Sequence, residues 1–480
     1  MKMSEKPKKK LSGDYAQAVA QMNEALRVSA SFDVICRPVR VAGRPASLYL
    51  IDGFVKDDLM EKILQFFMGL KAEALEGIAE TKTFADTFIP YVEVEAQDDV
   101  EQLTTQVLSG SLALLAEGLP QAILIDARTY PARDVSEPED DRVLRGAHVG
   151  FVETLVFNTA LIRRHIRDPR LTMEILQIGT KSKTDVVVCY MQGIVNQKQL
   201  EDLKKKLQSI TIHALGMAQE SLVECLLPKQ QWYNPFPKVR YTERPDCAAA
   251  NVLEGRIAII VDNTPAVMLL PTSIFDFVQD TNDFYFPPLV GTYLRLIRTL
   301  VFLCSLFLTP IWYLLLENPD WVPDWLPFIS IAEPNAVPVI AQLLVIELIV
   351  DGVKLASLNT PNVLNNAFGL VGTLILGEFA VKAGLFVPEV LLYMAFVSVA
   401  NFTQPSFELG YAFKLFRMLF LILTALFNLW GFGAGVLLML ILLATTRTVS
   451  GRSYLAPLIP FHGGSLLRLI FRRPISDENS

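Results

Sequence analysis

"YLRLIRTLVFLCSLFLTPIWYLLL" fills residues 293–316. Beyond Arg295 and Arg298 near its start it carries no charge. Coiled as a helix, it is long enough to cross a hydrocarbon core of about 30 Å. The run divides the chain. Residues 1–288 have an ordinary charged composition, and residues 289–446 are strongly apolar. The mean hydropathy of +0.35 averages two unlike halves. The composition therefore predicts an α/β cytoplasmic region of two small subdomains, followed by an all-α polytopic membrane domain.

Six apolar segments follow from this reading: 293–316, 337–350, 368–384, 386–402, 413–427 and 432–445. The last two can be one helix broken around residues 430–435. Lys and Arg set the orientation. Residues 317–333 hold four acids and no Lys or Arg, whereas the end of the chain holds Arg447, Arg452, Arg468, Arg472 and Arg473. The positive-inside rule puts both termini in the cytoplasm, which needs an even number of spans, four or six.

The charged half alternates strand-like and helical patterns. "FDVICRPVRV" and "ASLYLIDGFV" read as strands, and "KDDLMEKILQFFMGL" as a helix with Leu59, Ile63, Phe66 and Phe67 on one side. A helix over 100–108 and strands in "LALLAEG" and "QAILIDART" complete a first unit. A second unit has helices over 153–167, 197–208 and 219–227. Its strands are expected in "TMEILQIG", "TDVVVCYMQG", "ITIHAL", "RIAIIVD" and "AVMLL". The expected boundaries are a basic disordered tail (1–30), a first α/β subdomain (31–130), a linker (131–150), a second α/β subdomain (151–288), the membrane domain (289–446) and a basic cytoplasmic tail (447–480). "MKMSEKPKKK" holds five lysines in ten residues, with no apolar run behind it, so it is no secretory signal. Five scattered cysteines without CxxC spacing argue against a disulfide framework and fit a reducing compartment. A net charge of -7 gives no reason to expect nucleic acid.

Charges inside apolar segments are costly and face a bundle interior or water. Glu347 and Asp351 fall on one helical face with Lys354, and Glu378 and Lys382 are spaced for an ion pair. They read either as registration pairs between helices or as part of an ion path. Asn366, Gly369, Thr373 and Gly377 recur at spacings of three and four, a stripe of small or polar residues. Close helix packing explains such a stripe, and so does a pore lined by one helix per subunit of a symmetric oligomer. "VRYTERPD" packs Arg240, Glu243, Arg244 and Asp246 together without a nucleophile or a phosphate loop. These residues read as an ion-pair network within one subunit, or, with Arg163 and Arg164, as contacts between subunits.

Motifs for catalysis are missing. There is no GxxxxGK[ST], HExxH or GxSxG, and "GFGAG" at Gly431 lies in an apolar run rather than after a soluble strand. The four histidines are scattered. No catalytic residue, metal ligand or cofactor is expected.

Several of these stretches resemble one family. "RGAHVGFVETLVFNTALIRRHIRDPRL", "NPFPKVRYTERPDCAAANVLEGRIAIIVDNTPAVMLLP" and "YLAPLIP" are similar to the A subunits of GerA-type spore germination proteins. "KSKTDVVVCYM" and "RYTERPD" lean toward the stage V sporulation protein AF branch. The resemblance implies a multi-pass protein of the spore inner membrane, with a two-part cytoplasmic domain and a helical membrane domain. It also implies a ring-forming homo-oligomer, a pentamer, that conducts monovalent cations and amplifies germination. A small membrane protein, and other germination proteins, would be its partners. A non-conducting membrane scaffold or signal transducer is the alternative.

Overall fold

The structure is a computed structural model. It describes residues 10–55, 57–75, 80–89, 93–127, 148–227, 233–280, 283, 285–323, 325–326, 329–332, 336–359, 380–449 and 451–471. The chain forms two compact units. The first comprises Met1–Pro228, Val239–Pro271 and Val449–Gly451; the second comprises Lys229–Lys238, Thr272–Thr448 and Arg452–Ser480.

The first unit opens with helix α1 (Tyr15–Leu26), where the sequence alone suggests a disordered basic tail. Asp14 caps it by accepting the Gln17 N–H, and Ala18, Met22 and Leu26 bury one stripe. Strands β1 (Val34–Val41) and β2 (Arg44–Ile51) lead to helices α2 (Asp57–Gly69) and α3 (Thr81–Phe88). Strand β3 (Val94–Gln97), helix α4 (Val100–Leu108) and strands β4 (Leu112–Ala116) and β5 (Ala122–Ile125) complete the set. The antiparallel sheet has the order β1-β2-β4-β5-β3. Every residue of β4 and β5 is buried, because helices cover both faces. Ile63, Phe67 and Phe84 pack on one face. Met22, Leu103 and Val107 pack on the other.

The same plan then repeats. Helix α5 (Leu155–His165) precedes β6 (Leu171–Ile178) and β7 (Thr184–Met191). Helices α6 (Gln197–Gln208) and α7 (Ala218–Leu226) follow, then β8 (Arg240–Thr242), α8 (Pro245–Leu253), β9 (Ile257–Val261) and β10 (Val267–Leu270). The second antiparallel sheet has the order β6-β7-β9-β10-β8, strand for strand the order of the first. The match extends to turns. Gly110 follows α4 at φ +103°, and Gly255 follows α8 at φ +90°, each two residues past the helix end, where a side chain would be strained. The two halves are structural repeats of one unit, which their residues do not reveal by eye. "ITIHAL" (210–215) is not a strand. Ile212 and His213 instead offer carbonyls to the amides of Thr180, Lys181 and Ser182 at the β6–β7 turn.

The second unit is helical. It holds α9 (Pro288–Glu317), α10 (Val339–Asn359), a short turn Ala380–Lys382, α11 (Pro388–Phe402), α12 (Phe407–Thr445) and α13 (Gly463–Ile470). Among the described residues, α9 and α12 are long and apolar enough to cross a membrane. Helix α12 has two arms, with non-helical φ/ψ at Asn428 rather than at the glycines that follow. Phe420 meets Phe432 at 6.0 Å, and a Cβ placed on Gly435 would touch Phe420, so the arms double back on each other. The first arm runs parallel to α9. Phe302 meets Phe413 at 4.0 Å, Phe307 meets Phe420 at 5.9 Å, and Asn318 donates to Asn428 at 2.7 Å. Helix α11 runs the other way, with Tyr393 beside Trp312 and the following Gln404 beside Ser305. Helix α10 also runs opposite to α9. It continues past Asp351 and Lys354, where the apolar pattern ends, because both face partners in the bundle. The C-terminal region carries α13 where a simple basic tail is expected from sequence.

Candidate functional site

Five charges of α10 and the first arm of α12 converge at one level. Glu347, on α10, is buried with its side chain 2% exposed. Arg417, on the first arm of α12, donates from Nε to Glu347 Oε1 at 2.6 Å, and from Nη1 to the Ser305 carbonyl at 2.6 Å. Lys414, one turn earlier, lies 3.2 Å from Glu347 Oε2 and donates to the Glu347 carbonyl at 2.9 Å. It also pairs with Asp351 at 2.5 Å. Lys354 lies 5.1 Å from the Phe402 ring centre and 5.6 Å from that of Tyr411. Three cations thus meet two carboxylates. Isolated, each charge would be prohibitive in an apolar bundle; grouped, they pay for one another's desolvation.

This cluster changes the reading of the acidic residues. Glu347 and Asp351 are matched by cations of the same chain, as registration pairs between helices would be. Lys414 and Arg417 are the residues that sequence reasoning passed over. Their spacing of three inside "YAFKLFRM" placed two cations on one side of an apolar helix and was the available signal. Lys382 is exposed in the turn Ala380–Lys382. Glu378 and the candidate lining residues Asn366, Gly369, Thr373 and Gly377 lie outside the described residues.

The contact candidates of the first unit separate. Arg163 is buried with no exposed side-chain surface. Its Nε donates to Asp33 Oδ2 at 2.8 Å and its Nη2 to Asp33 Oδ1 at 3.0 Å, a bidentate pair. Nη2 also donates to the Leu171 carbonyl at 3.1 Å. Beside it, Phe32 N–H donates to the Met173 carbonyl and Met173 N–H to Ser31 Oγ, which lays residues 31–33 along the β6 edge. Arg163 therefore joins the two repeats within one chain and is not a surface contact. Arg244 holds Asp246 through Nη2 to Oδ2 at 2.6 Å and Nε to Oδ1 at 3.1 Å, and is itself 1% exposed. It occupies the cap position of α8, with Pro245 in the first turn, and its N–H donates to Thr242 Oγ1. Arg240 and Glu243 are half-buried, and the Glu243 carbonyl accepts from Phe151. Arg164 is exposed.

Residues 20–480 match the family described as Bacillus/Clostridium GerA spore germination protein. Stage V sporulation protein AF of Bacillus subtilis (strain 168) is 37% identical over 442 residues, covering 92% of this chain and 89% of that protein. Spore germination protein KA of the same organism is 28% identical over 470 residues, covering 97% and 85%. The crystal structure of the N-terminal domain of the A subunit of the Bacillus megaterium spore germinant receptor GerK3 aligns with 25% identity and a TM-score of 0.43, over 55% of this chain and 98% of that one. With a family match across nearly its whole length, two antiparallel α/β repeats and a bundle of apolar helices, this chain belongs to the GerA family of spore germination proteins.

Proposed function

We propose that the protein is a subunit of a ring-forming ion channel in the spore inner membrane, a pentamer with both termini cytoplasmic, that releases monovalent cations and amplifies germination. The observation that carries this reading is the direction of the helices. Among the described residues, α9 and the first arm of α12 run one way, whereas α10, α11 and the second arm of α12 run the other. Asn359 ends α10 at the same end of the bundle as Phe402 and Tyr411, whereas Ala380 packs near Trp312 at the other end. In this proposal the intervening residues 360–379, read from their apolar sequence, supply a sixth span, the even number that two cytoplasmic termini need. It is also the stretch that bears Asn366, Gly369, Thr373 and Gly377. In this proposal the stripe lines a pore shared by several subunits, and the Glu347–Arg417 cluster braces the wall behind it.

The test is potassium flux through liposomes holding the purified full chain. Gly377→Phe is expected to lower flux by roughly 10-fold or more while the size of the detergent-solubilised oligomer is unchanged. Undiminished flux from an assembled Gly377→Phe protein would remove the stripe from the pore. No flux from the native chain, even with its small membrane partner, would favour a scaffold or signal transducer, a role the internally paired cluster suits equally well.

A further inference from the structure

The segment after the last arm of α12 is an ordered loop and helix rather than a simple tail. Tyr454 is fully buried between Phe236 and Phe277, with ring centres 6.2 and 6.4 Å away, and its carbonyl accepts the Ile274 N–H. From that plug the chain projects Leu458, Ile459, Pro460 and Phe461, all exposed, with Phe461 at 71%. The loop is closed by the His462 N–H on the Pro457 carbonyl, and α13 then returns. Its far end is tied by Arg295 Nη1 to the Leu469 carbonyl at 3.4 Å. Leu467 and Phe471 are also exposed. A pinned loop with an apolar tip, followed by a short helix with exposed apolar side chains, has a shape that needs a covering phase.

Two observations identify that phase. The first is height. Helix α9 has 30 residues, about 45 Å at 1.5 Å per residue, against a core of about 30 Å. The end of α9 beside Asn428 is flanked by exposed Trp321, Trp325 and Trp430, side chains that favour the membrane–water boundary. The surplus length therefore falls at the opposite end and sets Arg295 near the other boundary. The tie to Arg295 holds α13 at that level. The second observation is charge. Residues 447–473 contain five arginines and no Asp or Glu, and Arg447 and Arg452 are exposed. Apolar side chains beside an all-cationic sequence match a leaflet with anionic headgroups.

We propose that residues 457–471 form an interfacial anchor separate from the spanning helices. Leu458, Ile459, Phe461, Leu467 and Phe471 enter the leaflet, and the exposed Arg447 and Arg452 hold anionic phospholipid headgroups. The proposal rests on the membrane reading of this unit and not on conduction.

The test places single cysteines in the full chain: Phe461→Cys, Leu467→Cys, and Leu438→Cys on the exposed face of α12 as a spanning control. Each carries an environment-sensitive fluorophore in nanodiscs of brominated phosphatidylcholine, with or without phosphatidylglycerol, and the identically treated unsubstituted chain is subtracted. Lipid bromines are expected to quench positions 461 and 467 several-fold, more strongly with phosphatidylglycerol. Failure of quenching at 438 would overturn the membrane reading itself. With 438 quenched, water-like emission at 461 would overturn the anchor. Blue-shifted but unquenched emission would assign the cover to protein and overturn the lipid occupant. Equal quenching in both lipids would overturn the choice of anionic headgroups.

Discussion

Arg163 shows how much one buried side chain can carry. Its bidentate pair with Asp33 lies at the joint between the two repeats, so removing one partner strands the other charge in the interior. Arg163→Met is expected to cost about 3–5 kcal/mol, read as a lowered unfolding temperature of the full chain in detergent. Adding Asp33→Leu is expected to restore much of that loss, since an apolar replacement of the whole pair removes the stranded charge. A double variant as unstable as the single one would show that the carbonyl contacts, not the ion pair, hold the joint. Burial also decides cysteine chemistry. Burial pushes the Cys189 thiol up to about 12, far from the thiolate form, whereas Cys225 is exposed. Maleimide is expected to modify Cys225 in the native protein, and Cys189 only after denaturation. Mass spectrometry of the labelled chain distinguishes the two, and native labelling of Cys189 would refute its burial. From sequence Arg163 reads only as a candidate contact between subunits and Cys189 as one of five scattered cysteines, because the partners that define them are distant along the chain.

At the scale of elements, the hairpin of α12 depends on one glycine. A Cβ on Gly431 would run into the Leu423 carbonyl oxygen, whereas one on Gly433 would meet nothing within 4 Å. Overpacking against backbone cannot be relieved by a rotamer change, so Gly431→Ala is expected to destabilise by about 3 kcal/mol or more. Gly433→Ala is expected to behave as the native chain in fluorescence-detected sizing. Equal behaviour of the two variants would mean that the arms do not approach this closely. The sequence "GFGAG" is legible as a site of close packing, but its three glycines look alike, and the turn itself sits at Asn428. Helix α1 was illegible for a related reason. Its alanine-rich run follows a lysine-rich start, and its stripe gains a partner only where β2 and α4 supply a surface for Met22 and Leu26.

For the whole molecule, the tandem repeat bears on assembly. The joint within a chain uses Arg163, so in the proposed ring the contacts between subunits would use exposed residues such as Arg164. Arg164→Glu is expected to shift the detergent-solubilised protein toward smaller species in light-scattering sizing. Arg244→Glu, which breaks a pair inside the subunit, is expected to lower the unfolding temperature instead. An unchanged oligomer for Arg164→Glu would place the contact elsewhere. The division into an α/β half and an apolar helical half was readable from composition, because hydropathy and strand or helix periods are local properties. Most strands and the long helices were readable for the same reason. Residue patterns alone did not show that the two α/β halves repeat one topology, that Glu347 is claimed by Lys414 and Arg417, or that Arg163 faces inward. Each depends on which distant segments meet, and a pairing is set by packing and desolvation in three dimensions, not by the residues beside it in the chain.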